Sequence, residues 1–303
     1  MTERDIILSG VPSKTTGYLH SVILPRPGLR SGDTVPRIKF MRRGLTIEED
    51  HLAAFRRGCG DAESADLPFD YPLTLLFHYH LAIFAHRDFP WSLRTLLGVR
   101  NHVVQRRRIK TSERLDLEVG TIGQRVLPKG IEFDIHSVFS SEGAPAWESI
   151  SVYYLRGRAG GADARPAVEL LQPLDTVHSE ICWQAPAGGG FDFARLSGDF
   201  NPVHYLAPWA RRLGFKRDFS HTQRMVSDCL RRLPDAEALL QAPRLRLDVA
   251  FKGPVYYGSP LTLKTAQKPD GVRFDLYCGE VDKPAIPGNL RNVAADERLR
   301  PET

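Results

Sequence analysis

One plan occurs twice in this chain, and that repetition limits its fold more than any other feature of the sequence. In the first half Leu73, Leu76, Phe77, His80, Leu81 and Phe84 recur at three- and four-residue spacing, the mark of one apolar helix face. Pro72 stands at the first helical position, where its missing N–H costs nothing. In the second half Met225, Val226, Cys229, Leu230 and Leu233 form a comparable stripe, ended by Pro234. Alternating strands follow each helix, over 114–119, 130–139 and 147–155 in the first half and 244–251, 261–264 and 272–278 in the second. A shift of 146 positions lays Ile109, Leu115 and Leu117 on Val255, Leu261 and Leu263, and carries Leu75 onto His221 near the start of the second helix. One long helix before an antiparallel sheet, used twice, is an α+β plan.

Residues 157–166 join the copies; they are rich in glycine, poor in bulky apolar side chains, and read as a linker. The expected division is a first unit over 1–157, a linker over 158–174, a second unit over 175–291 and a flexible tail over 292–303. A further glycine-rich patch over 185–190 lacks the Lys-Ser/Thr of a phosphate loop and reads as plain loop. With 42% hydrophobic and 25% charged residues, the composition excludes wholesale disorder, a collagen-like repeat and a coiled-coil rod. Cys59, Cys182, Cys229 and Cys278 stand far apart with no metal-ligand spacing, so neither a disulfide framework nor structural zinc is expected, and a reducing compartment fits. The stretch 73–85 is shorter than the ~18 apolar residues of a membrane span, and no apolar core follows Met1-Thr2-Glu3-Arg4-Asp5. Neither a membrane anchor nor a signal peptide is therefore expected, and the cytoplasm is the expected location. The net charge of +5 is mild and scattered except at Arg106-Arg107-Arg108-Ile109-Lys110. That run reads as a solvated strand edge or as a contact for a phosphorylated ligand, without the basic density of a nucleic-acid reader.

Chemistry concentrates in Phe193-Ala194-Arg195-Leu196-Ser197-Gly198-Asp199-Phe200-Asn201-Pro202-Val203-His204. Ser-Gly-Asp and Asn-Pro are turn formers, so the chain bends here and can bring the Asp199 carboxylate to the His204 imidazole. A short helix follows, with Pro208 at its start and Gly214 past its end. This block, through Gly214–Thr222, resembles the MaoC-like dehydratases, the R-specific enoyl-CoA hydratases or hydratase 2. Their pattern Ser-Gly-Asp-x-Asn-Pro-aliphatic-His is intact from Ser197 to His204, and Val249–Val255 with Gly258 and Leu261 resembles the strand after their helix. The resemblance covers residues 175–290, with the first half a degenerate copy. It implies a double hot-dog fold, in which two curved antiparallel sheets, each wrapped around a long central helix, pack as one pseudo-dimeric body.

Carried over position by position, the resemblance makes Asp199 and His204 the catalytic pair. They hold one water and exchange protons as it adds across a trans-2-enoyl thioester, or leaves an R-3-hydroxyacyl thioester. Ser197, Gly198, Asn201 and His221 support them, Asn201 by fixing the turn and His221 through a structural hydrogen bond. The backbone N–H of Thr222, at a helix start, is the oxyanion donor; the family usually has glycine there, so a branched side chain enters the site. Neither an organic cofactor nor a metal is implied, and the partner is a CoA or acyl-carrier-protein thioester, with a homodimer left open. Arg106, Arg107, Arg108, Arg211 and Arg212 are the candidates for its phosphates. Cys59-Gly60-Asp61 echoes Ser197-Gly198-Asp199, but Ala62-Glu63-Ser64 replaces Asn-Pro and no histidine follows at the matching distance, so the first half is expected to be inert. The stripe of Leu73, Phe77, Leu81 and Phe84 reads first as core and, by the resemblance, as an acyl-tunnel wall. His78 and His80, two apart on a helix, point to different sides and do not chelate one ion. A non-catalytic acyl-thioester binder, with its oxyanion site closed by Thr222, is the competing class, and a thioesterase the third.

Overall fold

The computed structural model describes residues 5–8, 10–29, 32–157 and 172–299. Most of the expected linker, up to residue 171, lies outside them. In the first half the strands are β1 (Asp5–Leu8), β2 (Lys39–Leu45), β3 (Leu96–Gln105), β4 (Leu115–Leu127), β5 (Gly130–Ser141) and β6 (Ala144–Arg156). The helices there are α1 (Lys14–Ile23), α2 (Glu49–Cys59) and α3 (Tyr71–Ala85). The second half holds β7 (Ser179–Gln184), α4 (Gly190–Ser197), α5 (Ala207–Arg212), α6 (Thr222–Leu230), α7 (Ala236–Leu240), β8 (Leu245–Ala250), β9 (Pro260–Lys268), β10 (Gly271–Cys278) and β11 (Ile286–Asn292). All of these strands join one sheet in the order β1-β2-β4-β5-β6-β3-β8-β11-β10-β9-β7, antiparallel except for the β1–β2 pair.

The two copies therefore share a single continuous sheet, fused where β3 pairs with β8. That ladder contains the symmetry of the repeat. His102 faces Asp248, 146 positions away, and the same shift exchanges the pair Arg100↔Ala250 with the pair Val104↔Arg246. The sequence shift is thus the internal two-fold of the fold, and its axis passes between His102 and Asp248. His102 Nδ1 and Asp248 Oδ1 lie 2.7 Å apart there.

Each half-sheet curls around its own helix. Helix α3 is buried on nearly every side, which is why its residues read as an apolar run rather than a narrow stripe. Its core neighbours include Phe133, Ile135, Phe139 and Trp147 from β5 and β6. Helix α6 is only nine residues long, and Met225, Val226, Cys229 and Leu230 face the core with Leu247, Leu263 and Phe274. Burying one such side chain stabilises the fold by about 1.5–3 kcal/mol. The expected flexible tail includes a turn tied down by Glu297, whose carboxylate accepts from Arg246 and Arg291 at 2.6 and 2.8 Å. Among the described residues no helix is long and apolar enough to cross a membrane.

Candidate active site

Helix α4 ends where Gly198 takes a left-handed conformation, φ +81°, and its N–H caps the helix on Ala194 O. Glycine is required there twice over: the positive φ penalises a side chain, and an added Cβ would stand 2.4 Å from His78 Cε1. Ser197 Oγ donates to Phe193 O at 2.8 Å and accepts from the Asp199 N–H at 3.2 Å, which turns the chain out of the helix. Asp199 Oδ1 accepts from the Asn201 N–H at 3.1 Å, and Asn201 Oδ1 accepts from the Val203 N–H at 3.3 Å. Pro202 then starts a single turn of 3-10 helix that ends on His204. These local bonds, all formed within the motif, bring His204 Nε2 to 3.8 Å from Asp199 Oδ2.

His204 is buried, and its Nδ1 lies 3.0 Å from Phe219 O. A carbonyl only accepts, so Nδ1 carries the hydrogen and Nε2 presents its lone pair toward Asp199. Burial pulls the His204 pKa below the ordinary imidazole range against the opposing pull of Asp199, keeping the ring neutral near pH 7. His221 Nε2 donates to Asp199 O at 2.9 Å by the same logic. Its ring stacks on His204, with centroids 3.8 Å apart and planes 26° apart. Burial and the neighbouring His204 hold His221 well below the usual imidazole range. Tyr257 Oη donates to His204 O at 2.9 Å from behind.

Among the described residues one cluster of three potential metal ligands occurs, and it is Asp199, His204 and His221. A ring-nitrogen lone pair lies in the plane of its ring. Two nearly parallel rings 3.8 Å apart offer no shared point at the ~2.0–2.1 Å that a zinc–imidazole bond requires. The stacked arrangement does not fit a chelated ion.

The pair opens on a cavity of about 250 Å³ that runs between the halves. The second half lines it with Phe193, Asp199, Val203, His204 and Phe219, and the first with Leu73, Leu76, Phe77, His80, Val152 and Tyr153. Of the expected tunnel stripe, Leu73 and Phe77 line this cavity. Leu81 instead packs under α1, and Phe84 packs tilted and edge-on in a ring cluster with Phe89 and Tyr153. Thr222 and Gln223, the first residues of α6, also face the cavity. The first N–H groups of a helix have no intrahelical acceptor, and the dipole there favours negative charge.

The arginines divide. Arg106 pairs with Glu148, and Arg107 makes a two-pronged pair with Glu113 at 2.7 and 2.9 Å. Arg108 pairs with Asp66 at 2.8 Å, as does Lys110 at 2.7 Å. None of the four lines the cavity, so the structure does not bring this run to the site. Arg211 and Arg212 are exposed in the last turn of α5, immediately before Leu213 and Phe215 at the cavity's mouth, where Arg94 also stands. Sequence reasoning missed the side chains the first half contributes: Tyr18 from α1, His51 from α2 and His78 from α3. His51 Nε2 donates to Leu196 O at 2.8 Å, and His78 presses on Gly198. No short motif marks them, because they act from across the interface between halves.

No family model matches the chain. It is 22% identical over 288 residues to 3-hydroxyacyl-thioester dehydratase X of Mycobacterium tuberculosis, spanning 93% of this chain and 99% of that protein. The crystal structure of HtdX from the same organism superposes with a TM-score of 0.71 at 19% identity, covering 84% of this chain and 100% of that one. A MaoC-like dehydratase from Phytophthora capsici gives 0.66 at 18% identity, covering 86% and 96%. A conserved M. tuberculosis protein with a double hotdog fold gives 0.55 at 12% identity, covering 88% and 98%.

Proposed function

We infer that this chain, a double hot-dog protein of the MaoC-like dehydratase type, is a hydro-lyase that dehydrates 3-hydroxyacyl thioesters and runs the reverse hydration of trans-2-enoyl thioesters. The observation that carries its mechanism is the pair of facing acceptors, Asp199 Oδ2 and neutral His204 Nε2, 3.8 Å apart at the wall of an acyl-sized cavity. Two acceptors at that spacing are satisfied by one water that donates a hydrogen to each. As the water oxygen bonds to C3, the pair takes one of its protons and a proton is delivered from the pair to C2. The pair ends as it began, and no other reactant is consumed. Negative charge gathers meanwhile on the thioester oxygen, and the Thr222 N–H at the start of α6 is the donor assigned to it.

The acyl chain lies along Leu73, Leu76 and Phe77, and the carrier's phosphates lie outside the mouth near Arg94, Arg211 and Arg212. The +5 net charge accords with an anionic CoA or an acidic carrier protein, and the free cysteines accord with a reducing compartment such as the cytoplasm. The test is the loss of enoyl absorbance on incubation with trans-2-enoyl-CoA esters of graded length, repeated with carrier-linked substrates. Formation of the R-3-hydroxy product supports the reading. No turnover with any of them, or release of free thiol in its place, overturns it.

A further inference from the structure

The second half does not close the catalytic corner alone. Helix α1 lies so close on α3 that a Cβ added at Gly17 would stand 2.8 Å from Leu81 Cγ. Lys14, one turn earlier, reaches Arg195 O at 3.4 Å and sits 5.5 Å over the Phe200 ring. This docking carries Tyr18 across the interface onto the motif. The Phe200 N–H donates to Tyr18 Oη at 2.6 Å. The phenol hydrogen has two acceptors in reach, Gly198 O at 3.2 Å and Asp199 Oδ1 at 3.4 Å. The Tyr18 ring itself is held between Phe77 and Phe200. Burial, reinforced by the Asp199 charge, pushes the phenol far up, so it remains an O–H donor wherever the protein is folded.

Asp199 Oδ1 therefore faces two donors, the Tyr18 hydroxyl and the Asn201 N–H, while Oδ2 is the oxygen turned toward His204. We propose that Tyr18 is a positioning residue for the hydration reaction: reaching from the inert half, it fixes Asp199 Oδ1 and the Phe200 amide so that Oδ2 is aimed at the water. The inert half thus supplies more than an acyl channel; it sets the rotamer of the carboxylate that does the chemistry. This role rests on reading Asp199 and His204 as the catalytic pair.

Tyr18→Phe tests it, because the ring keeps its packing and only the hydroxyl is lost. A misaimed carboxylate costs about ten- to hundredfold in kcat with KM unchanged, since binding does not use the hydroxyl, while Tm falls modestly because the Phe200 N–H loses its acceptor. In an Asp199→Asn background the same substitution has no further effect on kcat, because both changes act through one group. A readout independent of turnover is amide hydrogen exchange. Releasing the carboxylate speeds exchange at Asn201 as well as at Phe200, by about tenfold as local opening becomes easier. Unchanged kcat in Tyr18→Phe, losses that multiply with Asp199→Asn, or unchanged exchange at Asn201 would each overturn the proposal. If the wild-type protein hydrates no enoyl thioester, the dehydratase reading fails, and the Asn201 exchange still decides whether Tyr18 holds Asp199.

Discussion

Two corners of this molecule share a backbone and differ in what meets their aspartate. Helices α2 and α4 both end on a left-handed glycine, Gly60 at φ +69° and Gly198 at φ +81°, and an aspartate follows each. After Gly198 the chain turns through Asn201-Pro202 and returns His204 to face Asp199. After Gly60 it runs on through Ala62-Glu63-Ser64, and Asp61 meets Arg231 at 3.2 Å. Arg231 also grips Asp70 with two bonds of 2.9 and 3.0 Å, while Ser227 donates to the same carboxylate. A guanidinium keeps its protons at every working pH, so Arg231 gives the aspartates here no partner to exchange a proton with. Its cavity, about 370 Å³, is larger than the one beside Asp199. A helix-end aspartate in a cavity does not by itself meet the acid–base role proposed for Asp199. The partner decides, and the partner is set by five residues of turn.

The largest effect that tests this contrast is on turnover. Asp199→Asn and His204→Gln should each lower kcat about 10²- to 10⁴-fold with the fold intact by circular dichroism. Asp61→Asn, the same change at the other corner, should leave kcat alone, and an equal loss there would erase the distinction between the two. Next in size is Arg231→Met, which strands the buried Asp70 and should cost about 3–5 kcal/mol in urea unfolding with kcat per folded molecule unchanged. The glycines make a matched pair. Gly60→Ala meets nothing within 4 Å, so it pays only the left-handed penalty of about 1–2 kcal/mol. Gly198→Ala adds the collision with His78, and should therefore be the more destabilising and the only one of the two to reduce turnover.

The same contrast explains how much of the molecule was legible in its residues. Period and turn chemistry are local, so the two apolar helices, the hairpins of β4–β6 and β9–β10, and the bend from Ser197 to His204 could be read directly. The 146-residue shift, found on three matches, turned out to be the operation that maps β3 onto β8. Strand β3 itself escaped notice because it is buried along only part of its length and carries Arg100, Asn101 and His102 among its apolar residues. Helix α1 escaped because its docking depends on a missing side chain, Gly17, rather than on an apolar stripe. The fusion of two expected sheets into one is a property of edges, whose pairing no alternation pattern records. Tyr18, His51 and His78 were invisible for the reason that makes them informative, since they act on a motif well over a hundred residues away. The run at Arg106–Lys110 was ambiguous in sequence because its partners, Glu148, Glu113 and Asp66, are partners only in the fold.

The smallest expected effect separates the corners by acidity alone. Burial, with help from Lys14 and His51, pulls the His78 pKa from 6.5 down to about 4. Between those values the unfolded chain binds a proton that the folded chain refuses, so stability falls as pH drops through the window and levels off below it. His204 and His221, also lowered, add to the loss over the part of the window above their own folded values. Asp70 behaves differently. Its carboxyl is held below 3.8 by Arg231 against the cost of burial, so its contribution persists through this range and disappears only as pH falls through the lower folded value. Asp61, pushed up by burial, takes a proton earlier and works in the stabilising direction on acidification. Urea unfolding at pH 6.5, 5.5 and 4.5 should therefore show a slope of up to ~1.4 kcal/mol per pH unit for each buried neutral histidine. His78→Gln should flatten that slope by its one-proton share, whereas Arg231→Met should lower the whole curve and lower it most at pH 6.5, because burial then raises the Asp70 carboxyl unopposed and it takes up a proton on acidification. A slope that ignores His78 would take the acid-sensitive histidine away from the Asp199 corner.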